Sequence, residues 1–238
     1  MAAHRARTGR IDYLAYASGS GESDCWGFEE WRMTEHADGS RIMRAYCELN
    51  DEPPLIRDVV HSVDAAFHPI DTYVRLTKAN RINGVGWFRF SDTDAVMDGR
   101  DESGADVHDR TEISRAMRGF GSHNLTSDAW LAARYDFTQG PGVQRFLGNL
   151  MTSIDHRGAT GPAFARTNSS LAYGGIETVA VPAGTFACHR FAISGTSHDH
   201  PPYDFWVTTD VDYLYVKGVV AEPYRWLFEL TSLTGGAD

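Results

Sequence analysis

The sequence predicts a mainly β protein, a single antiparallel β-barrel or strongly curved sheet with a short helical insertion near residues 125–151. Three observations carry that expectation. Apolar and polar residues alternate with the two-residue period of extended chain over most of the sequence. Turn residues (Gly, Pro, Asn, Asp) recur at the short, regular spacing of a sandwich or barrel, enough for roughly ten strands. A helical period appears in only one region, after Leu125. Closure into a barrel also removes the sheet edges that invite edge-to-edge pairing.

In chain order, Arg10 to Ser18 (RIDYLAYAS) is the first expected strand, and Ala37-Asp38-Gly39 joins two extended runs, Trp26–His36 and Ser40–Asn50, as a hairpin. In the second run Met43, Ala45, Cys47 and Leu49 form an apolar face, with Ile42, Arg44, Tyr46 and Glu48 opposite. Leu55–Ala66 and Thr72–Ala79 form the next pair, and Asn83-Gly84 is expected to turn the chain into Val85–Asp92. Residues 98–110 (DGRDESGADVHDR) look like a polar hairpin loop between Ala95–Met97 and Val107–Ala116. From Leu125, Trp130, Leu131, Arg134, Tyr135 and Phe137 follow at near-helical spacing, and Val143–Met151 is expected as a second short helix. Beyond it, Ile176 to Val181 and Thr185 to Ile193 alternate on either side of Pro182-Ala183-Gly184, where proline fixes φ and glycine tolerates positive φ. Tyr203–Thr209 and Tyr213–Val220 follow as strands, and the alternation of Trp226, Phe228 and Leu230 favours a strand for Tyr224–Leu233.

The chain has 238 residues, 42% hydrophobic and 23% charged, without a shift in composition that would mark a linker, so 1–238 reads as a single domain. A net charge of -10 disfavours nucleic acid and anionic membranes as partners, because both need a positive field. Residues 1–9 (MAAHRARTG) are basic with no apolar stretch behind them, so no secretory signal is expected. No apolar run approaches the roughly 20 residues that span a bilayer. Three widely spaced cysteines, Cys25, Cys47 and Cys188, give neither a disulfide framework nor a zinc pattern. A reduced cytoplasmic setting is therefore expected, and a homodimer stays open.

From Glu177 to Phe191 the sequence ETVAVPAGTFACHRF, followed by FWVTTD from Phe205 to Asp210, resembles a pattern in lipocalin-like bacterial β-barrel proteins of uncharacterised function. There a V-P-A-G-T-F hairpin precedes a W-V-(S/T)-x-D strand and a last strand. The resemblance covers about a third of the chain and implies a curved antiparallel sheet; it transfers no active residue.

Candidate chemistry follows from residue type and strand alternation. His123, in Gly119-Phe120-Gly121-Ser122-His123-Asn124 just before the helix, could act as a general base with Asp128 near enough to orient it. His61 shares a face with Arg57, Val59 and Val63; Tyr73 with Arg75 and Thr77; Trp87 with Arg89; Tyr215 with Tyr213 and Lys217. Turned inward, these faces make a concave pocket with aromatic walls, including Trp206, and a few cationic and phenolic groups. The roles expected are His123 or His61 as base, Tyr73 or Tyr215 as acid, and Arg75, Arg89 and Lys217 as anion holders. Trp87 and Trp206 would be walls. His198-Asp199-His200 offers two imidazoles at strand spacing, but Pro201-Pro202 follows at once and no HExxH or cysteine ligand supports it, so no metal is expected. There is no GxSxG elbow and no nucleotide fingerprint, so no cofactor is expected either. The expected function is cofactor-independent acid/base lyase or isomerase chemistry on a small aromatic or hydrophobic molecule. The alternative is a carrier of such a molecule.

Overall fold

A computed structural model describes residues 4–16, 23–50, 52–114, 117, 119–196 and 199–235. The strands are β1 (His4–Tyr16), β2 (Ser23–His36), β3 (Arg41–Leu49), β4 (Leu55–Val63), β5 (Pro69–Lys78), β6 (Arg81–Phe90), β7 (Asp94–Arg100) and β8 (Asp106–Glu112). They continue as β9 (Phe120–Gly121), β10 (Gly142–Met151), β11 (Ala165–Val181), β12 (Gly184–Ser194), β13 (Tyr203–Thr208), β14 (Tyr215–Val220) and β15 (Trp226–Thr234). The helix α1 (Leu125–Ala132) and a 3-10 turn (Phe137–Gln139) separate β9 from β10.

Among the described residues all the strands belong to one 15-stranded sheet in the order β8-β7-β6-β5-β4-β3-β2-β1-β15-β14-β13-β12-β11-β10-β9. Of the two architectures expected from sequence, this is the curved sheet: its edges, β8 and β9, do not pair with each other. Every ladder is antiparallel except the short β9–β10 contact. Arg166 of β11 reaches toward β8 instead, donating to the Glu112 carbonyl at 2.7 Å and to the Thr111 hydroxyl. The sheet thus curls far enough for its two wings to meet through a side chain.

Alternation sorts the two faces. Met33, Met43, Cys47, Val59, Leu76, Phe88, Met97, Phe191 and Phe205 fill the inside and are almost wholly buried. The hairpin β11–β12 runs long, and Val179 and Cys188 pack with Val216 against Phe186 and Trp206 as a small second core. At its tip Ala183 N–H donates to the Leu230 carbonyl at 3.1 Å.

α1 closes one stretch of the interior. Ala129, Trp130 and Ala132 are buried, and the His61 ring lies 5.6 Å from that of Trp130. The first turn of a helix has N–H groups without intrahelical partners. Asn124, at the N-cap, does not cap it. Instead Glu29, from the inner face of β2 and fully buried, accepts from Leu125 N–H at 2.7 Å, Thr126 N–H at 3.2 Å, the Thr126 hydroxyl at 2.6 Å and the Tyr13 hydroxyl at 3.1 Å. A charged acceptor at the positive end of the helix is the favourable sign.

A second buried carboxylate ties the loop after β13 to the sheet. Asp212, fully buried, receives two hydrogen bonds from Arg5 at 2.6 Å and lies 3.0 Å from Arg7 Nε and 3.8 Å from Arg41 Nε. Its carbonyl accepts from Trp130 Nε1 at 3.3 Å, which connects this network to α1.

Three sequence expectations need correction. Val143–Met151 is the strand β10 and not a helix, because pairing with β11 across Gly142↔Tyr173 to Met151↔Ala165 outweighs local propensity. The turn expected at Asn83-Gly84 is made by Ala79-Asn80, both at positive φ (51° and 60°), which suits the twist of a two-residue hairpin. Residues 98–110 are mostly strand, with a tight turn in which Asp101 accepts from Ser103 N–H at 2.8 Å and Ala105 N–H at 3.1 Å. Trp226–Thr234 is a strand, as its alternation predicted.

Replacing Glu29 by Ala strands two helix N–H groups and two hydroxyls in the interior. The expected cost is about 3 kcal/mol, read from urea unfolding, with Glu29→Gln recovering part of it. A loss below about 1 kcal/mol would show that α1 is held by packing alone.

Candidate functional site

The cavity of interest opens beside α1 and has a volume of ≈ 160 Å³. Its walls come from the segment before α1 (Phe120, His123), α1 itself (Asp128, Leu131), β10 (Leu150, Met151), the ends of β12–β15 (Ile193, Tyr203, Val220, Phe228), and two loops that bring in His156 and His200. The lining is mostly hydrocarbon with a few polar groups, the usual composition of a small-molecule site.

The polar groups come in two sets. On α1, Asp128 accepts a hydrogen bond from the Tyr203 hydroxyl. Burial pushes the Asp128 carboxyl up to about 6, against the pull of that hydrogen bond. Burial and the neighbouring Asp128 charge hold the Tyr203 phenol well above its ordinary range, so it stays a donor. The second set is His123 and His200, whose Nε2 atoms lie 3.4 Å apart. His123 Nδ1 is hydrogen-bonded to Thr152 Oγ1 at 3.0 Å. Burial, then the Arg57 guanidinium and the His200 and His156 rings, keeps the His123 imidazole well below its ordinary pKa.

The backbone is shaped to allow this. His123 has φ 62°, uncommon for a residue with a side chain, and it re-aims the chain between β9 and α1. Gly158 has φ 68°, and a Cβ there would lie 2.4 Å from Arg57 Nη1 and 2.8 Å from His123 Cβ. The loop after β10 can therefore press against both residues only with glycine at that position, and Arg57, itself buried, donates to the Arg157 carbonyl.

Of the site residues expected from sequence, His123 and Asp128 line the cavity. His61 is inward, as its face predicted, but lies behind Trp130 and Phe120, hydrogen-bonded to Thr72 Oγ1 at 2.7 Å. Tyr215 is inward and fully buried, its ring stacked on Phe205 at 6.4 Å, and its hydroxyl has no hydrogen-bond partner among the described residues.

The remaining expectations are overturned by the direction in which the faces point. Tyr73, Arg75, Trp87 and Arg89 are on the outer face, because Thr72, Val74, Leu76 and Phe88 take the inner one. Trp87 is 44% exposed, with Arg89 stacked at 4.3 Å and also paired with Asp98. Trp206 lies outside, bonded to Glu177. Lys217 pairs with Glu229 at 3.4 Å; Trp206 opposes Lys217 while Val207 opposes Tyr215, so Val216 is an extra residue in β14 and this bulge takes Lys217 off the Tyr215 face. The wall and anion-holding roles of these residues fall with that geometry. His198 lies outside the described residues; of the same tripeptide, His200 lines the cavity and Asp199 pairs with His156, another lining residue.

Glu29, Arg57, His156, His200 and Tyr203 were missed as site residues. Glu29 and Arg57 did carry a signal: each is a charge set into an alternating apolar face, Gly27-Glu29-Trp31-Met33 and Leu55-Arg57-Val59-His61.

No protein-family model matches the sequence, and no curated protein matches it. Among solved structures the chain is similar to a β-barrel-like protein of a domain of unknown function, DUF1849, from Brucella abortus, with TM-score 0.56, 10% identity and 98% of each chain covered. At that identity the likeness shows the fold alone: a β-barrel-like architecture. Looser overlaps reach a protein classed as a lipoprotein from Parabacteroides distasonis (TM-score 0.32, 6% identity, 97% of this chain and 95% of that one). A protein classed as exported, with a YmcC-like fold, from Bacteroides fragilis gives TM-score 0.32 and 8% identity over 96% and 95% of the chains. Neither supports a conclusion about this chain.

Burial pushes the His61 imidazole down to about 4, against the raising influence of Asp71. A histidine kept neutral in the fold stabilises it fully above about pH 6.5, the unfolded value, and loses that contribution as pH falls toward 4. The wild-type chain is expected to lose about 3 kcal/mol more than His61→Leu over that interval in urea unfolding at stepped pH. Arg75→Ala and Trp87→Ala are each expected to shift stability by about 0.5 kcal/mol or less; a much larger loss would contradict their outward position.

Proposed function

We propose that the chain binds a small, largely apolar molecule in the cavity beside α1 and moves a proton on it, with Asp128 as the transferring group. The observation that carries this reading is a carboxyl raised to about 6 by burial and facing a cavity of ≈ 160 Å³. A hydrocarbon-lined cavity of roughly 150 Å³ holds one benzene ring, so the ligand class is a single-ring aromatic or an aliphatic molecule of that size. A carboxyl whose pKa stands near neutrality works in both directions, as acid and as base. Tyr203 holds the proton-bearing partner position and steadies the carboxylate once it has given its proton up. His123 and His200 give the same cavity a second hydrogen-bonding pair for a polar substituent. Elimination, retro-aldol-type cleavage or isomerisation fits such an arrangement.

A lipocalin-like carrier is the second reading, favoured by the mostly hydrocarbon lining. The two differ in whether the ligand comes back changed. The test is a titration of single-ring phenols and aryl carbonyl compounds by calorimetry, followed by mass spectrometry of the recovered ligand. Saturable binding lost in Ile193→Trp, with turnover about 100-fold lower in Asp128→Asn, supports the enzyme. Ligand returned intact, with binding still lost in Ile193→Trp, supports the carrier. Binding unaffected by Ile193→Trp rejects both.

A raised carboxyl also has a stability signature. Between about pH 4 and 6 the folded chain holds a proton that the unfolded chain has released, so this group destabilises the fold as pH rises through that window. Asp128→Asn is accordingly expected to be about 2 kcal/mol more stable than wild type at pH 7 in urea unfolding, with the difference vanishing below about pH 4. A less stable variant at pH 7 would assign the carboxylate a structural role.

A further inference from the structure

We propose that Asp155, His156 and Asp199 bind a divalent transition-metal ion at the mouth of the cavity. The donors come from two loops far apart in sequence, one after β10 and one before β13, yet one oxygen or nitrogen from each falls within 4.8 Å of the others. His156 Nδ1 stands 3.0 Å from Asp199 Oδ2. His200 Nδ1 stands 3.9 Å from the other oxygen of the same carboxylate. Neighbouring donors on one tetrahedral ion, each bonded at about 2.1 Å, are about 3.4 Å apart. The cluster is therefore close to the span of a coordination sphere and contracts onto an ion by small loop movements.

Two features prepare the donors. Asp155 Oδ1 accepts from Arg157 N–H at 2.9 Å and Ala159 N–H at 3.0 Å, which fixes the carboxylate in the loop. The His156 ring stacks on Trp226 at 5.6 Å and 25°, so its nitrogens are held in one plane. The His156–Asp199 pair joins the two loops, and Asp155, next to His156 in sequence and held by its own loop, adds the third donor.

Donor chemistry selects the ion. Imidazole with carboxylates favours zinc, cobalt, nickel or iron over calcium and magnesium, which prefer all-oxygen shells, and no thiolate is present to favour copper(I). His156 also lines the cavity, so an ion bound to it stands at the cavity rim. The ion ties the two loops together and places a Lewis acid at the cavity rim.

The experiment uses the full chain without an affinity tag, stripped with chelator and titrated with Zn²⁺ by calorimetry and with Co²⁺ by visible absorption. About one equivalent is expected to bind, at least tenfold more weakly in His156→Phe and in Asp199→Ala. Phenylalanine keeps the ring against Trp226 while removing the nitrogens, and Asp199 is exposed, so folding is preserved in at least one variant and is checked by circular dichroism. His36→Ala, which breaks up the separate His4–His36 ring pair, is expected to bind like wild type. Absence of saturable uptake, or uptake that persists in both site variants, overturns the proposal. The readout is the metal itself, so its failure is distinguishable from failure to bind a cavity ligand.

Discussion

The carboxylate of Glu29 sets the position of α1, and the cavity exists only where α1 leaves space. A helix of this length has little stability of its own in water. Here its first N–H groups point at an acid planted on the inner wall of β2, and the surrounding protein excludes water that would otherwise satisfy them. Trp130, on the same helix, reaches the Asp212 carbonyl and so engages the arginine cluster. The helix is thereby fixed through both a polar bond and its apolar underside, and Asp128 is delivered to the cavity as a consequence.

Charge inside the sheet is arranged unevenly. Asp212 is enclosed by Arg5, Arg7 and Arg41, so its negative charge is compensated where it stands. Asp128 has a neutral phenol as its hydrogen-bond partner, and His123 is faced by the cationic Arg57 and other imidazoles. Burial thus acts on Asp128 and His123 with little opposing compensation, and both are driven toward their neutral forms. Asp212 and Asp128, both drawn into the interior, differ in the company they keep.

The fold was legible because it rests on local, repeated signals: alternation, turn chemistry and one helical run. Even so, β10 read as a helix, since a run such as Val143–Met151 has no strict alternation and acquires its strand form from β11. The site was legible only in part. His123 and Asp128 sit beside the helix start, where sequence proximity implies spatial proximity. Tyr73, Arg75, Trp87 and Arg89 failed because alternation divides a strand into two faces without saying which is inner. The informative pattern was the rarer one: an ionisable group interrupting the more apolar face, as at Glu29, Arg57 and His61. His156 and His200 come from irregular loops, where no periodicity reports position.

The adjacency of β1 and β15 at the middle of the sheet governs the order in which this protein can be assembled. Thr8 lies opposite Thr234, so the central ladder joins segments separated by almost the entire chain. During synthesis the wing from β1 to β8 emerges first and can zip up by neighbouring hairpins, while the inner edge of β1 waits unpaired for β15 to arrive. Contacts of such long sequence separation form slowly, and an open strand edge is the hazard that chaperones shield in the interval.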